Sequence, residues 1–411
     1  MSRLPLYLDY AATTPVDPRV AALMAECLSL EGDFGNPASN THIYGFKAKE
    51  RVDVAREQIA ESLKILDPRE IIFTSGATES NNLALQGFFK GFFKNNLNNQ
   101  NYLITMPTEH KAVLDPANYL STQGVNVIYL KPEPDGMLDL EKLEQVLKNI
   151  AQENQKNKPK ILVSIMWVNN ETGVIQNILK IAELVKSYGG YLHVDAAQAA
   201  GKLEINLSQI PIDLLSLSAH KFYGPKGVGA LYIRRKPKVN LSPIIYGGGH
   251  EMGFRSGTLP THQIAGMGLA LYLSHENLAQ ESDRILKLKN KFWTGLAQNL
   301  SQLKINGIKN LEDQNLAIPN ILNIGFEGVD SESLIMALQE DLAVSAGSAC
   351  TSASIETSHV LSAMGVSDQD AHESLRFSFG RFVLDSDIDR AILAITQQVK
   401  KLRAMSPIWQ I

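Results

Sequence analysis

A hydroxyl-rich turn follows one apolar run of the sequence and leads into a predicted helix. The run Ile71–Thr74 continues into residues 75–80 (SGATES), after which a helical pattern begins. Backbone N–H groups and the positive dipole end of a helix N-terminus favour a phosphate group. A serine or threonine cap makes the same hydrogen bonds without a ligand. Ala77 and Thr78 are therefore candidate phosphate contacts, with a simple helix cap as the alternative.

A carboxylate and an amine follow two further apolar runs. Asp195 directly follows residues 191–194, and residues 212–217 are followed by SAHK, which ends at Lys221. Ligands of open α/β sheets bind at the carboxyl ends of the strands. An amine that forms a Schiff base and a carboxylate that keeps a pyridine nitrogen protonated are what pyridoxal phosphate chemistry requires. Taken singly, either residue is more often a cap or a surface charge; together with the phosphate candidate they supply three handles for this cofactor.

Two glycine-bearing segments do not fit the nucleotide-binding fingerprints. Gly201-Lys202 is followed by Leu203 and lacks the upstream glycine of a P-loop, and residues 227–229 (GVG) lack the third glycine of the dinucleotide motif. A phosphate ligand other than a nucleotide is therefore favoured.

His110 also follows a predicted strand, residues 102–105, after a short segment. A neutral imidazole at the carboxyl end of a strand could stack on a planar ring. The alternative is a histidine that only caps the following helix.

The two cysteines have different sequence contexts. Cys350 lies among the small residues 345–354 (SAGSACTSAS), without the apolar periodicity that would bury its thiol. This context is typical of an exposed, reactive cysteine, and incidental exposure is the alternative. Cys27 belongs to the predicted helix 17–30, which Asp17 can cap, and shares its apolar face, so it is predicted to pack in the core.

The elements that must position these residues alternate between helical and strand-like patterns from about residue 50 to 235. Seven short apolar runs are predicted strands: 71–74, 102–105, 125–130, 161–168, 191–194, 212–217 and 230–234. Such alternation indicates an α/β protein with a mostly parallel sheet. Beyond about residue 263 longer helices dominate, up to a final helix with apolar residues at 388, 392, 395, 399 and 402, so a second domain is predicted.

Length and composition exclude several classes of protein. The 411 residues suffice for two or three structural units, and two distant cysteines form neither a disulfide framework nor a metal knuckle. The nine histidines show no metal-ligand spacing, so no metal site is predicted. A net charge of −4 gives no basic surplus for nucleic acid. No apolar run approaches the roughly 20 residues of a membrane helix, and no secretory signal is visible, so no membrane partner and a cytoplasmic location are expected.

The combined motifs resemble the cysteine desulfurases of the NifS/IscS type, which are pyridoxal-phosphate enzymes of the class V aminotransferase group. The resemblance spans nearly the whole chain and is specific because ten motifs occur in order. They are LDYAATTP (8–15), FGNPAS (34–39), FTSGATESNN (73–82), TEHKAVL (108–114), VNNETG (168–173), HVDAAQ (193–198), SAHKFYGPKGVGALY (218–232), GGGHEMGFRSGT (247–258), SAGSACTS (345–352) and RFSFGR (376–381).

The resemblance implies an α/β fold of the fold type I pyridoxal-phosphate-dependent transferases. A large domain over residues 16–263 would hold a mostly parallel mixed sheet flanked by helices. A smaller α+β domain would combine residues 1–15 with 264–411 and carry the cysteine loop.

The resemblance also implies roles for individual residues. Lys221, Cys350 and His110 would be catalytic: Lys221 as the Schiff-base lysine, Cys350 as the persulfide-forming cysteine, and His110 stacked on the cofactor ring. Asp195 would pair with the pyridine nitrogen, and Gln198 would donate to the ring oxygen. The cofactor phosphate would be held by Ala77, Thr78, Ser218, His220 and, from a second subunit, Thr258. Asn170 would contact both cofactor and substrate, joined at the substrate by Asn36 and Arg376.

The implied reaction removes sulfur from L-cysteine, giving L-alanine and a persulfide on Cys350. The implied partners are a second copy of the chain and a sulfur-acceptor protein such as an iron–sulfur scaffold. A transient cluster contact through Cys350 is the single metal contact implied. One alternative is a selenocysteine lyase or another class V enzyme, which would share Lys221 and Asp195 without depending on Cys350. The other is a sulfur carrier or scaffold that keeps the fold without turnover.

Overall fold

The structure, a computed structural model, describes residues 4–93, 100–153, 159–346 and 357–406. Its strands are β1 (Leu6–Tyr7), β2 (Ile71–Thr74), β3 (Asn101–Thr105), β4 (Asn126–Tyr129), β5 (Lys160–Met166), β6 (Tyr191–Asp195), β7 (Leu214–Ser218), β8 (Gly229–Ile233), β9 (Leu303–Asn306), β10 (Ile321–Phe326), β11 (Leu342–Ala343) and β12 (Ser374–Ser378). Its helices are α1 (Pro18–Glu26), α2 (Ile43–Ser62), α3 (Ala77–Phe93), α4 (Lys111–Thr122), α5 (Leu140–Glu153), α6 (Ile178–Ser187), α7 (Thr261–Glu276), α8 (Leu278–Asn299), α9 (Ser331–Leu338), α10 (His359–Ala363), α11 (Asp368–His372) and α12 (Asp385–Met405).

The seven predicted strands form one sheet in the order β2–β8–β7–β6–β5–β3–β4. The neighbours from β7 to β4 pair in parallel, whereas β8 runs antiparallel to both β7 and β2. Apolar runs form the buried strands because helices cover both faces of the sheet, and only the edge strand β4 is partly exposed. The predicted α/β class with a mostly parallel mixed sheet is confirmed.

The helices cover the sheet through two apolar cores. On one face, α2, α5, α6 and α7 contribute side chains such as Ile59 and Leu143 to the largest core. On the other, α3 and α4 contribute Phe88 and Leu120. The predicted burial of Cys27 is confirmed: it ends α1, which Asp17 caps.

A second sheet lies in the C-terminal part of the chain. Strands β9, β10 and β12 pair antiparallel, and Phe377 of β12 packs with Phe292 of α8 and Ile395 of α12 in a separate core. The predicted final helix is present as α12. The predicted boundary between residues 263 and 264 falls inside α7, whose buried residues pack in the first core, and the division into domains stays a prediction. Among the described residues, no helix combines the length and apolarity needed to cross a bilayer.

Arg381, just after β12, connects the large-sheet part of the protein with the separate core of the second sheet. Its guanidinium bonds Asp17 before α1 and Glu281 of α8, both at 2.8 Å. Its carbon Cζ lies 4.0 Å from the centre of the Tyr223 ring, and its backbone N–H donates to the Tyr223 hydroxyl at 2.7 Å. One side chain therefore ties together the N-terminal segment, α8 and the segment after β7.

We expect Arg381→Gln to lower the free energy of unfolding by about 2 kcal/mol, because the partly buried Glu281 loses its salt-bridge partner and the buried Asp17 keeps only Arg19. Chemical denaturation measures this. Arg390→Gln is the matched control: Arg390 is partly exposed and 3.5 Å from Asp387, so its loss should cost less than about 0.5 kcal/mol. Equal losses in the two variants would contradict the role given to Arg381.

Candidate active site

A cavity of about 590 Å³ opens where strands of the parallel sheet end. This edge collects side chains from several strands because parallel strands all point their carboxyl ends to it. Ten of the predicted site residues line the cavity: Ala77, Thr78, His110, Asn170, Asp195, Gln198, Ser218, His220, Lys221 and Arg376.

Lys221 follows β7 through a short 3-10 turn and points its amine at the N-terminal segment. The Nζ atom donates to the carbonyl oxygens of Ala11 at 2.6 Å and Ala12 at 2.8 Å. Gln198 donates to the same Ala11 oxygen at 2.8 Å. The segment after β1 therefore holds the amine of Lys221, which the sequence predicts to be chemically reactive, at a fixed place in the cavity.

Asp195 ends β6 and is 4% exposed. Its Oδ2 accepts a hydrogen bond from Asn81 Nδ2 at 2.7 Å, and its Oδ1 accepts one from the backbone N–H of Ala197 at 2.9 Å. Buried carboxylates keep their charge when hydrogen-bond donors surround them. The arrangement holds a carboxylate rigidly against the cavity.

Glu109 adds a second carboxyl beneath the cavity. It is fully buried; Oε1 accepts from the backbone N–H of Met166 at 2.9 Å, and Oε2 has no hydrogen-bond partner among the described residues. Burial, reinforced by the charge of Asp195, raises the pKa of Glu109 well above its usual value. The shift favours the protonated form of Glu109, whereas Asp195, which has two hydrogen-bond donors, lines the cavity.

The predicted phosphate cradle lies at the start of α3. Glu79 accepts from the backbone N–H of Ser75 at 2.8 Å and from Arg255 Nε at 2.9 Å. Burial opposes the charge of Glu79, yet the hydrogen bonds from Arg255 and Ser75 hold the pKa of Glu79 below its usual value. This carboxylate orders the turn and leaves the N–H groups of Ala77 and Thr78 at the cavity.

His220 faces the same cradle in its neutral form. Burial, together with nearby lysines, lowers the pKa of His220 to about 4. Its Nδ1 lies 3.1 Å from Thr13 Oγ1. A neutral imidazole still offers an N–H donor to an anion.

His110 caps a helix and also lines the cavity, and its stacking on a planar ring stays a prediction. Its Nδ1 accepts from the backbone N–H of Ala112 at 3.0 Å, so His110 caps α4. The same ring lines the cavity. Because Nδ1 accepts, the ring proton is assigned to Nε2.

Arg376, in β12, brings a buried cation to the cavity. It donates to Asp9 Oδ1 at 2.9 Å, to Ser345 Oγ at 2.7 Å and to the Asn170 carbonyl at 2.9 Å. Its Nε is buried and has no hydrogen-bond partner among the described residues, and the same holds for Asn170 Oδ1. A donor and an acceptor are therefore left for a ligand.

Two described site residues, Asn36 and Thr258, lie outside the cavity. Asn36 is exposed, and its Oδ1 accepts from the backbone N–H of Ala38 at 2.9 Å. Thr258 is exposed outside the cavity of its own chain. Cys350 lies outside the described residues. In the part of the chain that is described, no cluster of three or more potential metal ligands occurs.

Sequence reasoning assigned no role to several residues that hold the predicted ones. Asn81, Asp9 and Glu109 lie inside quoted motifs, but their contacts cross large sequence distances. Asn81 comes one helical turn after Ala77, which places it on the same face of α3. The spacing of Ala77 and Asn81 could therefore have indicated that Asn81 belongs to the site. No sequence pattern indicates the contacts of Asp9 and Glu109.

Comparison with known proteins agrees with this site. The family described as "Aminotransferase class-V" matches residues 6–391, so the chain belongs to the class V aminotransferase family. Within it, the chain is 53% identical to "Cysteine desulfurase IscS" of Vibrio cholerae serotype O1, over 99% of this chain and 96% of that one. The predicted resemblance to the NifS/IscS type is confirmed.

Solved structures give the same result. A "NIFS-LIKE PROTEIN" superposes with a TM-score of 0.85 at 34% identity, covering 97% of this chain and all of that one. "SspA in complex with cysteine" has a TM-score of 0.77 at 35% identity, covering 92% and 100%. The fold is thus that of NifS-like enzymes.

We expect Asn81→Asp to destabilise the protein at about pH 8, because two buried carboxylates would then share one site and one would need a proton. The loss, about 2 kcal/mol or more, should shrink towards pH 5, where a proton is available. Thermal unfolding at both pH values measures it. Asn82→Asp, on the partly exposed neighbour, is the control. A loss that does not depend on pH would contradict the contact with Asp195.

Proposed function

We propose that this chain is a pyridoxal-phosphate-dependent cysteine desulfurase. It converts L-cysteine to L-alanine, leaves the sulfur as a persulfide on Cys350, and passes it to an acceptor protein for iron–sulfur cluster assembly and other thio-cofactor pathways. The observation that carries the proposal is the single cavity in which Lys221 and Asp195 lie at the ends of adjacent parallel strands, beside a helix N-terminus.

The residues that line the cavity fit pyridoxal phosphate. Asp195, fixed by two donors, suits the pyridine nitrogen, and the cradle of α3 suits the phosphate. Ser218 and His220 would add contacts to the phosphate, Gln198 would donate to the ring oxygen, and His110 would cover the ring. When bound, the cofactor withdraws electrons from the bonds to the α-carbon of the amino acid.

Lys221 would anchor the cofactor covalently and then move a proton. The carbonyl oxygens of Ala11 and Ala12 hold its Nζ at one place in the cavity. With pyridoxal phosphate and an amino acid bound, Nζ of Lys221 would serve as the base that removes the α-proton of the substrate. The same amine can return a proton when alanine forms.

Arg376 would bind the substrate carboxylate. A guanidinium presents planar N–H groups that match a carboxylate, and the unpartnered Nε supplies one. Asp9 and Ser345 hold the other end of the guanidinium in place. The unpartnered Oδ1 of Asn170 is available to the substrate or the cofactor nearby.

Sulfur transfer needs no external oxidant. The Cys350 thiolate attacks the substrate sulfur, the carbon–sulfur bond breaks, and the electron pair left on carbon takes up a proton, so that alanine and a persulfide form. Ser345, bonded to Arg376 and Asp9, precedes Cys350 by five positions. Five residues span at most about 18 Å, which is the upper limit that the chain sets on the separation of Cys350 from Ser345.

We expect Cys350→Ser to abolish the production of sulfide and alanine from L-cysteine with a thiol reductant, while the visible absorption of the bound cofactor persists. Cys27→Ala is the matched control: this thiol is buried in the core, so its variant should keep turnover. Continued alanine formation by Cys350→Ser would exclude the persulfide role. It would point to a selenocysteine lyase or another class V enzyme, whereas cofactor binding without any turnover would indicate a carrier.

A homodimer would complete each site. Thr258 is exposed and lies in a segment that Arg255 ties to Glu79 of the cradle and Glu251 ties to Arg56. The resemblance implies that Thr258 contacts the cofactor phosphate in the site of a second subunit. An exposed position on an anchored segment suits such a contact. The sulfur acceptor is proposed to dock separately, where Cys350 can reach it.

Mixed subunits test this contact. Lys221→Ala and Thr258→Ala subunits, produced together with different tags and isolated as heterodimers, contain one site with both residues intact if Thr258 acts across the interface. In an unsorted mixture this corresponds to about a quarter of the sites. We expect desulfurase activity above that of either variant alone. No gain on mixing would place Thr258 in its own chain's site or outside it.

A further inference from the structure

A second lysine lies beside the cavity and contacts one of its wall residues. Lys202 Nζ donates to Gln198 Oε1 at 2.6 Å. The two residues are four positions apart in a helical turn in which Ala200 N–H bonds the Ala196 carbonyl. Nothing in the proposed mechanism uses Lys202.

Gly201 is what allows this approach. Its φ is +71°, and a Cβ there would meet the Cβ of Phe222 at 2.7 Å and that of Ser274 at 3.1 Å. The glycine therefore ends the turn in a left-handed conformation and packs the chain against the residue that follows Lys221. In this way Lys202 is directed under the cavity wall.

The contacts of Gln198 determine which way its amide faces. An ammonium group only donates, so the atom next to Lys202 must be the amide oxygen. A carbonyl only accepts, so the atom next to Ala11 must be the amide nitrogen, at 2.8 Å. Both neighbours select the same orientation. The second N–H of the amide is used in no hydrogen bond among the described residues and is left for the cavity that Gln198 lines.

The charges around Lys202 make its contact with Gln198 important. Burial lowers the pKa of Lys202 to about 7, with the nearby cations Lys221 and Arg376 adding to the effect and Glu281 of α8 opposing it. The amide oxygen is the one hydrogen-bond acceptor recorded for this amine among the described residues. Because an amine donates whether protonated or neutral, the contact does not require the charge.

We propose that Lys202 is a positioning residue that fixes the Gln198 amide with an N–H group directed at the ligand in the cavity. The inference rests on the proposed cofactor site, since the ring oxygen of pyridoxal phosphate is the acceptor that this N–H would meet. Without Lys202, the Ala11 carbonyl alone selects this orientation, so the amide is held less firmly and its N–H is directed at that oxygen for less of the time.

The test is the pH titration of the visible absorption band of the cofactor-loaded protein. An N–H donor favours the anionic form of the ring oxygen, so its loss should raise the pH at which the chromophore loses its proton. We expect Lys202→Met to raise this midpoint by about one pH unit. Lys202→Arg keeps a donor and a charge and should restore it. Lys180→Met, at an exposed lysine of α6, is the matched control.

A double-mutant cycle shows whether Lys202 acts through Gln198. If it does, Gln198→Ala alone shifts the midpoint, and adding Lys202→Met changes nothing more. Additive shifts would mean that Lys202 acts as an independent charge and would overturn the proposal, as would an unmoved midpoint in Lys202→Met.

Lys202→Gln keeps an N–H donor at position 202 but removes the charge, so it separates the effects of the two. It also provides a neutral variant if Lys202→Met does not fold. A midpoint close to the wild type supports the proposal, and a shift as large as that of Gln198→Ala overturns it. Failure of the proposed function has a different signature: the wild-type protein would then acquire no visible band with pyridoxal phosphate.

Discussion

The site depends on two backbone carbonyl groups, those of Ala11 and Ala12, which receive the amine of Lys221. Their segment is held from the other sheet: the Ala11 N–H donates to Ser378 Oγ at 2.9 Å, and Asp9 is bridged to Ser378 of β12. A lysine placed by the large sheet is thus oriented by a turn that the small sheet fixes. Any change in how the two sheets pack would move the amine relative to Asp195.

The charges of the cavity are arranged by burial and by paired donors. Asp195 accepts hydrogen bonds from two donors, while burial and the charge of Asp195 raise the pKa of Glu109 well above its usual value. Burial acts on the basic groups as well: it lowers the pKa of His220 to about 4 and that of Lys202 to about 7. In each case burial disfavours the charged form, because an uncompensated buried charge is costly.

Much of the fold followed from periodicity. All seven strands of the large sheet lie within two residues of their predicted ends because each is a short apolar run buried between helices. Asp195 and Lys221 could be assigned to one crevice because parallel strands end at the same edge. Their partners could not be assigned. Asn81 is 114 positions from Asp195, and no local pattern indicates which distant polar groups meet.

The sequence by itself determined which elements form, which reactive side chains follow the strands, and the family to which their order belongs. Only the tertiary structure decided that Ala11, 210 positions away, holds Lys221, that burial raises the pKa of Glu109, and that Lys202 contacts Gln198. The reason is physical. Helix and strand formation depends on neighbours along the chain, whereas the charge and orientation of a buried polar group depend on whatever packing brings within about 3 Å of it.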